Sequence, residues 1–192
     1  ICLSASTIAL AGNGALLGVQ VDYPRINFTE GLASQGATYN GSTLSITSTP
    51  VFLTFTEGGT EEFIIGGSLT ITANIDGGGA VSGGSFSISG NVTDTATNAV
   101  YSGVLLSGTV SDYGIIDAGI SGGTDLSDFA MNATAGSMLA AVGGSGAEIN
   151  ALVALEGSNF SGSFTAPWSA DRAKGDIAPP PLVPQLPPHT IG

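Results

Sequence analysis

Between about residues 15 and 165 no apolar run lasts long: short β-branched or aromatic stretches alternate with Gly, Asn and Asp breaks. Breaks at that spacing leave no room for long helices and favour short strands joined by tight turns. The clearest strand is Leu69–Ile75. Leu69, Ile71, Ala73 and Ile75 fall on one face, and Thr70, Thr72 and Asn74 on the other, as a sheet with one buried face requires. Asp76-Gly77-Gly78-Gly79 then supplies residues that tolerate positive φ, and Val81, Phe86, Ile88 and Val92 resume the run. Residues 67–92 therefore read as a hairpin.

The same texture predicts strands at Leu17–Tyr23, Leu44–Thr47, Val51–Phe55, Phe63–Ile65, Tyr101–Val110, Phe129–Thr134, Ile149–Leu155 and Phe160–Thr165. Ser137–Val142, closed by Gly143-Gly144, is the one good helix signal. The expected fold is all-β: an antiparallel β-sandwich or barrel-like domain with one short helix and extended N- and C-terminal segments. A β-solenoid is the alternative, prompted by Gly-Gly-Ser-x-x-Ile at residues 66–71 and again at 83–88. Two copies fall short of the three stacked units a solenoid needs. The expected divisions are an N-terminal extended segment over residues 1–14, a β-domain over 15–170 and a Pro-rich tail over 171–192.

Composition narrows the chemistry. Fifteen acidic side chains face three cations, Arg25, Arg172 and Lys174, for a net charge of -12. No basic patch exists to neutralise phosphates, so nucleic acid is excluded as a partner. No apolar run reaches the roughly 18 residues a membrane-spanning helix needs. With one Cys and one His, His189, the chain supplies neither a zinc ligand set nor a supported acid–base pair. No enzyme is expected, and no cofactor beyond a possible calcium ion. The acids best suited to calcium are Asp112, Asp117, Asp125 and Asp128 around Gly-rich loops, with Glu57, Glu61 and Glu62 as a second grouping, because hard cations want clustered oxygens. Gly77–Gly79 and Gly143–Gly146 lack the Lys-Ser/Thr and helix of a phosphate loop and read as turns. Five Asn-x-Ser/Thr sequons begin at Asn27, Asn40, Asn91, Asn132 and Asn159. Asn40 and Asn91, each beside a Gly, are expected at turns and are the better glycosylation candidates.

The two ends differ from the middle. ICLSASTIALA reads like the close of a secretory h-region with Ala9-Leu10-Ala11 as an A-x-A-type site, and also as a retained strand rich in Thr and Ile. Six of nine prolines fall within residues 178–188, a polyproline II or extended stretch.

Ala37-Thr38-Tyr39 with Leu44-Ser45-Ile46-Thr47, the Gly-Gly-Ser-Leu-Thr-Ile-Thr-Ala-Asn-Ile-Asp hairpin, Ser102-Gly103-Val104-Leu105-Leu106-Ser107-Gly108 and Phe160-Ser161-Gly162-Ser163-Phe164 resemble bacterial exported proteins of the PEP-CTERM type. Val183-Pro184-Gln185-Leu186-Pro187-Pro188 sits where that group carries its Val-Pro-x-Pro-like element, without the membrane helix and basic tail that follow there. The resemblance implies export to the cell surface or extracellular matrix and association with biofilm. It brings no catalytic residues.

The functional expectation is a structural subunit of an extracellular bacterial filament or biofilm matrix, with other copies of itself as partners. Head-to-tail growth follows if one copy donates a terminal strand to the sheet of the next. Ile1, Leu3, Ile8 and Leu10 form the polymerisation segment, at about 1.5–3 kcal/mol per buried side chain. Leu182, Val183, Leu186 and Ile191 make the tail contacts. The alternative is a monomeric cell-surface β-sandwich that binds polysaccharide or calcium, which requires an exposed aromatic cluster such as Trp168 beside Tyr101 or Tyr113.

Overall fold

The computed structural model describes residues 15–29 and 35–181. Eleven strands occur among them: β1 (Arg25–Thr29), β2 (Ala37–Tyr39), β3 (Thr43–Thr54), β4 (Glu61–Phe63), β5 (Ile65–Ile75), β6 (Val81–Asp94), β7 (Ala99–Ile116), β8 (Gly123–Ala135), β9 (Ala147–Ser158), β10 (Trp168–Ala170) and β11 (Arg172–Ala178). Consecutive long strands pair antiparallel from β3 through β5, β6, β7, β8 and β9 to β11. β1 then pairs with both β11 and β3, which closes an eight-stranded barrel. The barrel form of the expected fold is the one adopted, rather than the sandwich or the solenoid.

Two ring positions are built from broken strands. β1 and β2 follow one another along β3, and β10 and β11 follow one another on their far side. Pro50 sits inside β3, which the sequence divides into two runs. A proline offers no N–H to a ladder and is tolerated where the partner strand bulges. The ladder is irregular on both sides here: β3 shifts register against β1 between Asn27 and Phe28, the partner of Pro50, and β5 bulges against β6 between Ile65 and Ser68. The glycines in that bulge are required: a Cβ on Gly67 would lie 2.2 Å from the Pro50 carbonyl oxygen.

An eight-stranded barrel has an interior just wide enough for side chains to fill. Leu69, Ile71, Ala73 and Ile75 of β5, Phe86 and Ile88 of β6, Phe129 and Met131 of β8 and Ile149, Ala151 and Leu155 of β9 all point in and are buried. Call the rim at Ile75, Ile116 and Ser158 upper and the rim at Thr54, Asp94 and Ala178 lower. Residues 159–167 close the upper rim. Phe160–Thr165 is not the strand its composition suggests; Phe160 and Phe164 turn inward as a plug, 5.2 Å apart between ring centres. Phe164 stands edge-on to Tyr39 at 5.4 Å, and the Tyr39 hydroxyl lies 3.0 Å from the carbonyl of Ile75 and 3.2 Å from that of Phe164. From the lower rim, the β8–β9 connection buries Met138 and Val142. The expected helix there is a four-residue 3-10 turn, Leu139–Val142, ended by Gly143 at φ 108°.

The outer wall is largely polar. On β3, β5 and β6 most outward positions are Ser, Thr and Asn, including Thr47, Thr70, Thr72, Asn74, Ser85, Ser87 and Asn91, and none of these three strands carries a charge before Asp94; toward the lower rim the wall turns apolar, with Ile65, Phe63, Val100 and Val104 exposed. No helix is long and apolar enough to cross a membrane among the described residues. The expected boundary at residue 170 also shifts, because Arg172–Ala178 is a wall strand paired to β9 and β1.

Candidate functional site

Leu17–Tyr23 alternates like a strand but pairs with none. Residues 15–22 instead cross the outside of the barrel as a strap, from β7 near the upper rim to β11 at the lower rim. Its seat is Gly114, where a Cβ would stand 2.7 Å from both the Ala15 oxygen and the Leu17 nitrogen. Its anchor is Asp128. Strand alternation points Asp128 outward, between inward Ser127 and Phe129, yet it is only 1% exposed because the strap covers it. One carboxylate oxygen accepts the Leu17 N–H at 2.9 Å; the other accepts those of Gly18 at 2.8 Å and Val19 at 3.3 Å. Successive N–H groups converging on an anion form a nest, and Gly18 supplies its left-handed residue at φ 76°. Further along, the Asn150 amide donates to the Gln20 carbonyl at 2.8 Å, and the Asp22 N–H to the Pro179 carbonyl at 2.8 Å. Leu16 borders an apolar groove of about 380 Å³ lined by Leu126, Leu152, Val153 and the Lys174 side chain.

The strap meets a strand edge that the barrel leaves free. β7 pairs with β6 only from Ala99 to Thr109, while β8 accompanies it to Ile116. On the β6 side, Asp112–Ile116 therefore has no strand beside it among the described residues. The Ile115 N–H faces that side and is taken by the Ala15 carbonyl at 3.2 Å. Two residues back on the same side, the Tyr113 N–H is capped at 2.9 Å by the carboxylate of Asp112. A charged cap of this kind blunts an edge against indiscriminate pairing.

The four aspartates expected to share a cation have separate employments. Asp112 caps the β7 edge, Asp117 accepts the Gly119 N–H at 2.6 Å, and Asp125 accepts the Ala118 N–H at 2.8 Å from inside the upper rim. Asp128 holds the strap. No three His, Cys, Asp or Glu side chains gather to hold a metal among the described residues; Glu62 of the second grouping binds the backbone and hydroxyl of Thr95.

Tyr113 lies fully buried beside Phe129, 4.6 Å between ring centres. Burial first of all pushes its phenol well above the ordinary range; the Asp125 and Asp128 charges add to that, and the Ser127 hydroxyl opposes it. Trp168 is 5% exposed, packed on Phe160 and Tyr39. The exposed aromatic cluster that polysaccharide binding needs is therefore not formed by Trp168 with Tyr101 or Tyr113.

Asn40 is exposed at a turn, its side chain capping the N–H groups of Ser42 and Thr43. Asn91 is exposed too, but lies in mid-strand on β6 rather than at a turn. Ile1, Leu3, Ile8 and Leu10 and the tail residues Leu182, Val183, Leu186 and Ile191 lie outside the described residues. Sequence reasoning missed Gly114 and Asn150 and gave Asp128 another role. The available signal was the phase of β8, which sets Asp128 outward between inward Ser127 and Phe129.

Compared with known proteins, the chain matches no family model, no curated protein and no solved structure.

Proposed function

We propose that the protein is a structural subunit of an extracellular bacterial filament or biofilm matrix, its copies joined through their terminal segments. The observation that carries this reading is that the described residues begin and end at opposite rims: Ala15 stands beside Ile115 near the upper rim, and β11 ends at Ala178 at the lower rim. A subunit with connectors at opposite ends is suited to linear growth. The rest of the molecule is consistent with a mechanical part. The interior is filled, much of the wall carries hydroxyls and amides, and Asp112, Asp117, Asp125 and Asp128 are engaged with backbone N–H groups. Strand donation into the ring itself has no opening, since β1 pairs with both neighbours; among the described residues edges remain where a strand such as β4 is paired on one side only.

Negative-stain electron microscopy of the purified full chain is the test, beside a variant lacking residues 1–11. Regular fibres or sheets that lose cohesion on the deletion support the reading. Discrete single-chain particles, the same with and without those residues, refute it.

A further inference from the structure

We infer that the lower part of the wall from β4 to β7, built on Phe63, Ile65, Val100 and Val104, is a docking surface for the same face of a second copy. The inference rests on the proposed self-association and adds to the end-to-end joints one made by the wall itself. Most outward positions on β3, β5 and β6 are met by Ser, Thr or Asn, so the fold does not ask for apolar groups outside. On this face it has them. Strand alternation sends Phe63 and Ile65 outward on either side of buried Ile64, and Val100 and Val104 stand outward two residues to either side of Ser102. The register gathers them, since Ile65 faces Asn91 and Asn91 faces Ser102. Phe63 is braced by Phe52 of β3, 4.6 Å between ring centres. Val104 is 46% exposed and the other three are 68–71% exposed.

Their uncovered apolar surface is on the order of 400 Å², the size of the largest patch on a typical monomer and about half of what one partner contributes to a standard interface. Ser89, Asn91, Thr93 and Ser102, which pair between and beside these residues, supply polar contacts for the remainder. Charge selects the occupant. Each copy carries a net charge of -12, so most approaches of two copies set like charges together. Here β5 carries no charge, β6 none before Asp94 and β7 none before Asp112. Two such acidic chains can meet on this face with no carboxylate at its centre, leaving Glu61, Glu62 and Asp94 at its lower border. A basic partner, by contrast, finds no acid at that centre to pair with. A face laid on its own copy is isologous and closes at two; growth beyond the pair stays with the ends.

Sedimentation velocity of the full chain, over a concentration series up to about 100 μM, is the test. A monomer–dimer equilibrium is expected. Ile65→Glu and Val100→Glu each set like charges in both copies and are expected to weaken it roughly 100-fold, whereas Ser85→Glu, higher on β6, changes it less than about threefold. Amide exchange at Ile71 checks that each barrel is intact. The double variant Ile65→Thr with Val100→Thr, which keeps to the wall's own residue types, is expected to weaken the dimer roughly 10-fold without adding charge. Val100→Glu mixed with Val100→Lys should pair again as unlike chains. A full chain that stays monomeric overturns the inference, as does a dimer that ignores these substitutions or is weakened as much by Ser85→Glu. Dimerisation that begins only when residues 182–192 are removed gives the face to that segment, and binding of the monomer to vesicles of neutral phosphatidylcholine gives it to lipid; either overturns the assignment to a second copy. Fibres from a chain whose dimer ignores both Glu variants defeat this face and leave the structural function standing. Dimers that respond as expected, from a chain that never builds fibres, keep the face and defeat the structural function.

Discussion

Replacing Asp128 by Asn tests the strap directly. The carboxylate is buried and accepts three backbone N–H groups at 2.8–3.3 Å. Hydrogen bonds to a charged acceptor are worth about 1.5–3 kcal/mol each, but three that share one carboxylate do not add, and a released strap rehydrates its amides. Asn keeps one acceptor oxygen and turns an NH2 toward N–H donors. A net local loss of about 3 kcal/mol is expected, which corresponds to roughly 100-fold faster amide exchange. Hydrogen exchange followed by NMR reads Leu17, Gly18 and Val19 individually, while core amides such as Ile71 report global opening. Asp125→Asn is the matched control, because that carboxylate holds only the Ala118 N–H in the upper loop. The reasoning fails if exchange at residues 17–19 rises less than about threefold in Asp128→Asn, or if Asp125→Asn raises it equally.

Gly114→Val should displace the strap from its seat, since its Cβ would meet Ala15 and Leu17 backbone atoms at 2.7 Å; exchange at residues 17–19 should rise with the wall otherwise intact. Phe129→Ala, at a position with 0% exposure, should cost about 3–5 kcal/mol in urea unfolding. In alkali, the raised Tyr113 phenol favours the neutral form in the folded chain, so its contribution is complete below the ordinary tyrosine pKa of 10.0 and declines above it. Near-ultraviolet titration should show Tyr113 ionising only as the barrel unfolds. In acid the sign reverses at Glu156, whose carboxyl is lowered chiefly by its hydrogen bond from Lys174 and further by the Lys174 and Arg172 charges. Its contribution is present above the ordinary value of 4.5 and fades as pH falls below it; Glu156→Gln should flatten that part of the stability profile.

Much of the wall was legible because burial on one side imposes period two. The β5–β6 hairpin follows the alternation of Leu69–Ile75 and the Asp76–Gly79 turn, and the strands expected at Phe129–Thr134 and Ile149–Leu155 fall within β8 and β9. Ring closure was not legible. β11 reads RAKGDIA, with few apolar residues to mark it; its Gly175 is set by close packing, since a Cβ there would stand 1.8 Å from the Leu152 carbonyl oxygen and 3.1 Å from the Phe28 ring. Leu17–Tyr23 misled because an extended strap lying on a sheet has the same alternation as a strand within one. Phe160–Thr165 misled for a related reason: spaced aromatics serve as well to plug a barrel as to line it. Asp128 illustrates the limit at the site, since the sequence identifies an acid on a strand and cannot tell whether its oxygens meet an ion or the chain's own amides.

The side of the barrel made by β3, β5 and β6 has a further consequence. Above Asp94 these three strands carry no ionisable side chain, so their faces have little for dissolved salt to screen; the acids on this side sit at Asp76 in the β5–β6 turn and at Glu61 and Glu62 of β4. Adhesion made there would hold alike in dilute and saline water and across a wide acidity range, whereas the opposite side, with Asp176, Lys174 and Glu156 on view, would register every such change.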